Sequence, residues 1–158
     1  MLEDDFLVTR TNLESKIIYA NEAFCNLSGY KEQELLGQYH NIVRHPDMPK
    51  GIYNLMWEHL QSNQEFFGYI KNVTRDGNYY WTLANVAPYY DGDTLAGYCS
   101  VRRAPSKTAL EEITPLYKKM KQAEEEVPKE QQLGVSSAVL WQAITKEYQT
   151  YAEFVLSL

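Results

Sequence analysis

Apolar and polar residues alternate in short runs over residues 6–104, and these runs are broken by short stretches at helical spacing. Residues 6–10 and 16–20 alternate and predict two strands around the turn-prone pair Thr11-Asn12. Asn21 then predicts a helix N-cap, with Glu22 in the first turn and Gly29 closing the helix. Residues 31–36 predict a second short helix, stopped at Gly37, and segment 38–48 carries no regular pattern. Ile52, Leu55, Met56, His59 and Leu60 fall on one face, which predicts a helix over about 49–63 with Pro49 in its first turn. Residues 66–74 and 79–90 predict a hairpin across Asp76-Gly77, and 95–103 a last strand after the turn Asp91-Gly92-Asp93. Two strands, several short helices and three antiparallel strands make an α+β block.

Beyond Pro105 the pattern changes. Leu110, Ile113, Tyr117 and Met120 have the 3-4-3 spacing of a coiled-coil seam, and Pro115 predicts a kink or a later helix start. The charged run 118–126 and Pro128 read as a hydrophilic linker. Ser136 or Ser137 then caps a final helix striped by Leu140, Ile144, Tyr148, Tyr151 and Val155. The expected organisation is a domain over 1–105, a signalling helix over 106–127 and a C-terminal amphipathic helix over 128–158. Helices with an apolar stripe and no core of their own need a partner surface, so they read as output or as a dimer contact.

Composition narrows the function. With 44% hydrophobic and 23% charged residues the chain is an ordinary globular one. A net charge of −6 without a basic run speaks against nucleic acid. Nothing approaches the roughly 20 apolar residues of a membrane span, and the acidic opening at Met1–Asp5 is unlike a signal peptide, so a cytoplasmic protein is expected. Cys25 and Cys99 form neither a metal-ligand spacing nor a disulfide framework. Thirteen tyrosines suggest a core or pocket built from flat side chains.

Candidate chemistry is sparse. Asn41, Arg44, His45 and Asp47 crowd the segment before Pro49. Read blandly, they cap a Pro-rich loop; read as a ligand loop, Arg44 meets a phosphate or ring carbonyl and Asp47 fixes Arg44 or His45. His59 on the apolar stripe is a satisfied core histidine or an axial haem ligand. Asn72 is solvent-facing, or is a buried amide matching an adjacent donor and acceptor on a ring edge. A two-residue loop places Asn72 with Trp81, Leu83 and Asn85, and a three-residue loop places it with Thr82 and Ala84. Trp57, Phe66, Phe67, Tyr79 and Tyr80 are core residues or walls for a planar ligand. No phosphate-binding glycine loop, catalytic carboxylate pair or Ser-His-Asp pattern is present, so an enzyme is not expected.

These residues carry a resemblance. Ile18-Tyr-Ala-Asn21-Glu-Ala-Phe24, followed by Ser28-Gly29-Tyr30 and Glu34-Leu-Leu-Gly37, resembles the entry of a PAS sensor domain. The run from His40 to Lys50, with Met56-Trp57, Lys71-Asn72, Tyr80-Trp81 and Gly97-Tyr98, is similar to the aerotaxis-receptor branch, whose PAS domain holds FAD. Glu111-Glu112-Ile113 and Pro115 to Lys118 fit that branch as well. The resemblance implies a five-stranded antiparallel sheet with short helices on one face, followed by C-terminal amphipathic helices. It places Arg44, His45, Asp47 and Asn72 at the flavin, supported by Trp57, with Asn41 and Asn85 as further cofactor-binding candidates.

Light-oxygen-voltage PAS domains carry a cysteine in the loop after Leu-Gly. His40 matches that position here, and Thr82 matches their second-strand asparagine, so a redox sensor is expected rather than a light sensor. The resemblance also implies a membrane-bound, HAMP-containing chemotaxis transducer as partner, in a split form of the system, with a homodimer and membrane association only through the partner. Two other binding readings remain: a haem gas sensor using His59, and a cofactor-free interaction module burying Asn72 and Asn85.

Overall fold

The computed structural model describes residues 6–158; the acidic opening residues 1–5 lie outside the described part. Five strands form one antiparallel sheet in the order β2-β1-β5-β4-β3. They are β1 (Leu7–Asn12), β2 (Ile17–Ala20), β3 (Phe66–Val73), β4 (Tyr79–Asp91) and β5 (Thr94–Arg103). Between β2 and β3 come α1 (Glu22–Ser28), α2 (Glu32–Leu35), a 3-10 turn at His40–Val43 and α3 (Lys50–Gln61). Three helices follow the sheet: α4 (Lys107–Glu125), α5 (Gln132–Ile144) and α6 (Tyr151–Ser157).

Local chemistry accounts for most boundaries. Asn21 Oδ1 accepts from the backbone N–H of Phe24, and Gly29 ends α1 in the left-handed region at φ 79°. Thr11 and Asn12, expected in a turn, instead extend β1, because the register runs Thr11↔Tyr98 and Asn12↔Gly97 along β5. The reversal falls just beyond them, over Leu13-Glu14-Ser15, where Ser15 has a φ of 65°.

The β3–β4 hairpin turns on Arg75-Asp76-Gly77, with Thr74 N–H donating to the carbonyl of Asn78. That three-residue loop sets Asn72 opposite Tyr80 and Ile70 opposite Thr82. Asn72, Ile70, Thr82 and Ala84 therefore share the inner face, and Trp81, Leu83 and Asn85 point the other way.

The helices after β5 depart most from expectation. Pro115 neither kinks the chain apart nor delays the start: α4 runs unbroken from Lys107 to Glu125. Proline removes one hydrogen bond to the preceding turn. Here both Pro115 and Glu111, whose carbonyl is released, lie on the exposed side, where water satisfies it. The single final helix expected from 136 becomes two, α5 and α6. Nor is the apolar stripe left open for a partner. Ile113, Tyr117, Met120, Leu140, Tyr151 and Val155 join one core with Ile52, Phe66, Tyr69 and Ile70.

This docking closes the edge of the sheet at β3. The Tyr117 hydroxyl donates to the backbone carbonyl of Tyr69 at 2.9 Å and shares a 2.7 Å bond with the Tyr151 hydroxyl. Tyr69 in turn donates to the carbonyl of Val155 at 3.2 Å. One outward carbonyl of the edge strand, that of Tyr69, is thereby taken by its own chain and withdrawn from pairing with another strand.

α4 also holds α3 at its first turn. Glu124, 1% exposed, reaches across to accept from the N–H of Lys50 at 2.6 Å and of Gly51 at 3.4 Å. Pro49, the residue before α3, has no side chain to cap the helix. The carboxylate on α4 does this from a distance, placing negative charge where the helix dipole favours it. At Gly51 a Cβ would stand 2.6 Å from the Ser136 hydroxyl, so α5 sits this close to α3 only over glycine.

Candidate functional site

A cavity of about 260 Å³ lies between α3, the 3-10 turn and the inner face of the sheet. Small-molecule sites run from roughly 300 Å³ upward, so it suits a planar ring system whose remaining parts lie at the mouth. Tyr53, Met56, Trp57 and Leu60 form the α3 wall, Ile70 and Asn72 the β3 wall, and Ala84 and Val86 the β4 floor. Thr9 and Thr11 of β1 and Tyr98, Ser100 and Arg102 of β5 complete the inner face. Trp57 meets Tyr98 edge-on with ring centroids 5.3 Å apart. A second, more open depression of about 420 Å³ lies between α4, α5 and α6, with Glu112, Lys119 and Gln142 among its lining residues.

The expected site residues divide into three groups. Asn41, Arg44, Trp57 and Asn72 line the cavity. Arg44 sits exposed at the mouth with its guanidinium 3.8 Å from the Tyr53 ring centroid, and a backbone bridge to Asn72 ties its loop to β3. Asn72 is 3% exposed, and its amide nitrogen has no hydrogen-bond partner.

His45 and Asp47 stand outside the wall. The Asp47 carboxylate is exposed and binds Lys71 Nζ at 2.6 Å, a bond that holds its pKa below the usual carboxylate value. His45 Nδ1 accepts from the Asp47 backbone N–H at 3.1 Å, and its ring meets Tyr79 edge-on. Burial first, then the nearby Lys71 charge, lowers its pKa. These two residues shape the loop that carries Arg44 rather than the cavity surface.

Asn85 and His59 are corrections. Asn85 lies opposite Phe67 on the outer face of the sheet and donates to Glu65 at 2.8 Å. The three-residue hairpin loop turned it away. His59 is no part of the cavity wall; its Nδ1 bonds the carbonyl of Leu55 at 2.8 Å and its ring abuts Phe66. It is a helix histidine satisfied by its own backbone, so the haem reading loses its axial ligand. No cluster of three metal-ligating side chains exists among the described residues.

Sequence reasoning missed the innermost group. Arg102, 6% exposed, donates to Thr9 Oγ1 at 3.0 Å and to His40 Nε2 at 3.0 Å, and its guanidinium lies 5.7 Å from the Phe24 ring centroid. Thr9 Oγ1 lies 2.9 Å from the same His40 nitrogen. Because arginine only donates, that nitrogen is an acceptor and the imidazole is neutral. Burial, reinforced by the Arg102 charge, pushes the His40 pKa down to about 3. Burial also raises the Tyr53 and Tyr80 hydroxyls to about 12. The signal that marks Arg102 is the alternation Tyr98, Ser100, Arg102 along β5, which places it on the inner face; beside Arg103 it reads as a solvated pair.

Among the described residues, two cations, Arg44 and Arg102, and no carboxylate line this cavity. Its apolar walls suit a flat ring, while Asn72 Nδ2 and Arg102 Nε are buried donors without partners. A group that brings acceptors or negative charge fits them, and a flavin dinucleotide brings both.

Comparison with known proteins agrees with this architecture. The PAS fold matches residues 17–97. The chain is 40% identical over 118 residues to the aerotaxis receptor of Escherichia coli K12, covering 75% of this chain and 23% of the receptor. It is 35% identical over 81 residues to the nitrogen fixation regulatory protein of Klebsiella oxytoca, covering 51% of this chain and 16% of that protein. The chain thus spans less than a quarter of either relative. Among solved structures, a light-oxygen-voltage domain studied with a flavin analogue superposes with a TM-score of 0.60 at 20% identity, covering 70% of this chain and 83% of that one. At that identity the likeness is one of fold. No helix among the described residues is long and apolar enough to cross a membrane.

Proposed function

The chain belongs to the PAS-fold family, and from that premise we propose that it is a sensor for energy taxis that holds FAD between α3 and the sheet. The observation that carries the reading is a pair of buried, unpartnered donors, on Asn72 and Arg102, in the wall of an otherwise apolar cavity. The similarity to an aerotaxis receptor and to a light-oxygen-voltage domain studied with a flavin analogue supports a flavin there. Asn72 and Arg102 meet the ring, Trp57 and Tyr53 flank it, and Arg44 at the mouth takes the phosphates. When bound, the flavin supplies a ring whose charge and hydrogen-bonding pattern change on reduction.

The chain's own part is to read that change. A buried hydrogen bond is worth about 1 kcal/mol net and roughly 1.5–3 when charged. Two or three altered together bias β3 by a few kcal/mol, enough to shift a population. The tail rests on the outer side of that strand through Tyr69. The reading makes the chain a cytosolic signalling protein rather than an enzyme, acting as a homodimer on a membrane-bound chemotaxis transducer.

An absorbance spectrum of freshly purified protein, with the pigment released by heat and identified by chromatography, tests this. A flavin double band with FAD in the supernatant is the expected result. A Soret band, or no colour after reconstitution with FAD, refutes it.

A further inference from the structure

The innermost group of the cavity asks more of a ligand than flatness. Arg102 is a cation in the interior with no carboxylate within ion-pairing distance among the described residues. A buried charge without a counter-ion is costly, and proteins offset it by pairing or hydrogen bonding. Thr9 and His40 satisfy two of its nitrogens and leave Nε without a partner. Both partners are neutral, so the charge itself remains uncompensated.

Among the described residues nothing else in the wall supplies a negative charge. Ser100 Oγ is also buried without a partner and is a neutral group, as is the Tyr80 hydroxyl beside Asn72. The tyrosines stay protonated, and His40 neither gains a proton nor has one to lose at Nε2. The counter-ion must come with the ligand.

We infer that Arg102 is the specificity-determining residue of the cavity, selecting the reduced, negatively charged form of the bound ring over its neutral oxidised form. His40 and Thr9 act as positioning residues that hold the guanidinium against the wall. This rests on the flavin reading above. Two-electron reduction with uptake of one proton leaves the ring one negative charge, the electrons coming from a small reductant such as dithionite in the assay. A charged hydrogen bond in a buried site favours the anion by about tenfold to a hundredfold.

Anaerobic titration of apoprotein with oxidised FAD and with dithionite-reduced FAD reads the effect as a ratio of dissociation constants. The wild type should bind the reduced form about tenfold to a hundredfold more tightly. Arg102→Gln, which nearly keeps the volume and loses the charge, should weaken the binding of both forms, with the larger loss on reduced FAD, and so bring the ratio near one. Arg102→Lys should restore part of the preference. Equal ratios for wild type and Arg102→Gln overturn the inference and leave the flavin reading standing. A wild-type ratio of one or below overturns it without any variant, so an Arg102→Gln protein that fails to fold does not shelter it. If the wild type binds FAD in neither form, the flavin reading fails and the inference falls with it.

Discussion

Replacing Glu124 tests whether the tail is part of the sensor fold or an attachment to it. Its carboxylate is the cap of a helix in another part of the chain, accepting from two backbone N–H groups at 2.6 and 3.4 Å, and it is 1% exposed. Glu124→Ala removes a charge-assisted bond worth about 1.5–3 kcal/mol and strands two donors at the start of α3. The lost dipole interaction adds about 0.3–1 kcal/mol. Against this stands the relief of a buried carboxylate, whose only cation within 4 Å among the described residues is Lys121 Nζ at 3.7 Å. The balance is a loss of about 2–3 kcal/mol. Glu124→Gln keeps an acceptor and should lose about half as much. Urea denaturation followed by fluorescence measures both; with a slope of about 2 kcal/mol/M the midpoint for Glu124→Ala should fall by about 1 M or slightly more. If Glu124→Ala unfolds within about 0.2 M of wild type, the carboxylate holds nothing and the coupling of α4 to α3 is refuted. If Glu124→Leu is more stable than wild type, desolvation outweighs the cap.

His40 gives a pH dependence of definite sign. Its folded pKa is pushed down to about 3 while the unfolded chain titrates near 6.5. The unfolded state therefore takes up a proton that the folded state refuses, and stability falls as pH drops below about 6.5, by at most about 1.4 kcal/mol per unit. His45 and Asp47, whose pKa values are also lowered, act in the same sense. His40→Asn should flatten the urea midpoint between about pH 6.5 and 5; an unchanged slope counts against the buried neutral imidazole. Asn72→Leu should leave the apoprotein as stable or up to about 1 kcal/mol more stable, since it removes an unpartnered buried amide, yet weaken flavin binding about tenfold. Calorimetry of the apoprotein and a FAD titration read the two effects, and unchanged binding removes Asn72 from the site. Oxidised and reduced protein should differ in hydrogen exchange over α4, and identical protection there would refute transmission through that helix.

The succession of strands and short helices along the chain could be read from the sequence because alternation, N-caps and positive-φ glycines are local signals, whereas the order of the strands in the sheet is not local. Asn21 and Gly29 bound α1 as their chemistry requires. The hairpin was legible only up to its loop length, and that single residue decides between Asn72 facing inward with Thr82 and facing outward with Asn85. Arg44, Asn41, Trp57 and Asn72 line the cavity, while His45 and Asp47 stand outside its wall. Arg102, and the bond that His40 makes to it, escaped notice because their meaning lies in a contact across sixty-two residues, which no periodicity reports. The tail was legible as amphipathic, but an apolar stripe does not say whose surface covers it; here Tyr69, Phe66 and Ile52 of the same chain do.

β3 has Asn72 on its inner side and Tyr69 on its outer side, three residues apart. A strand so placed cannot distinguish which neighbour moved it first. Linkage then runs both ways: whatever factor a ligand at Asn72 applies to the docking of α4 and α6, that docking applies to the affinity for the ligand. On the proposed reading the tail is an effector carried by the chain itself, present at an effective concentration set by a few connecting residues rather than by the cell. Cutting the chain after β5 would change the affinity of a cavity that the tail never touches.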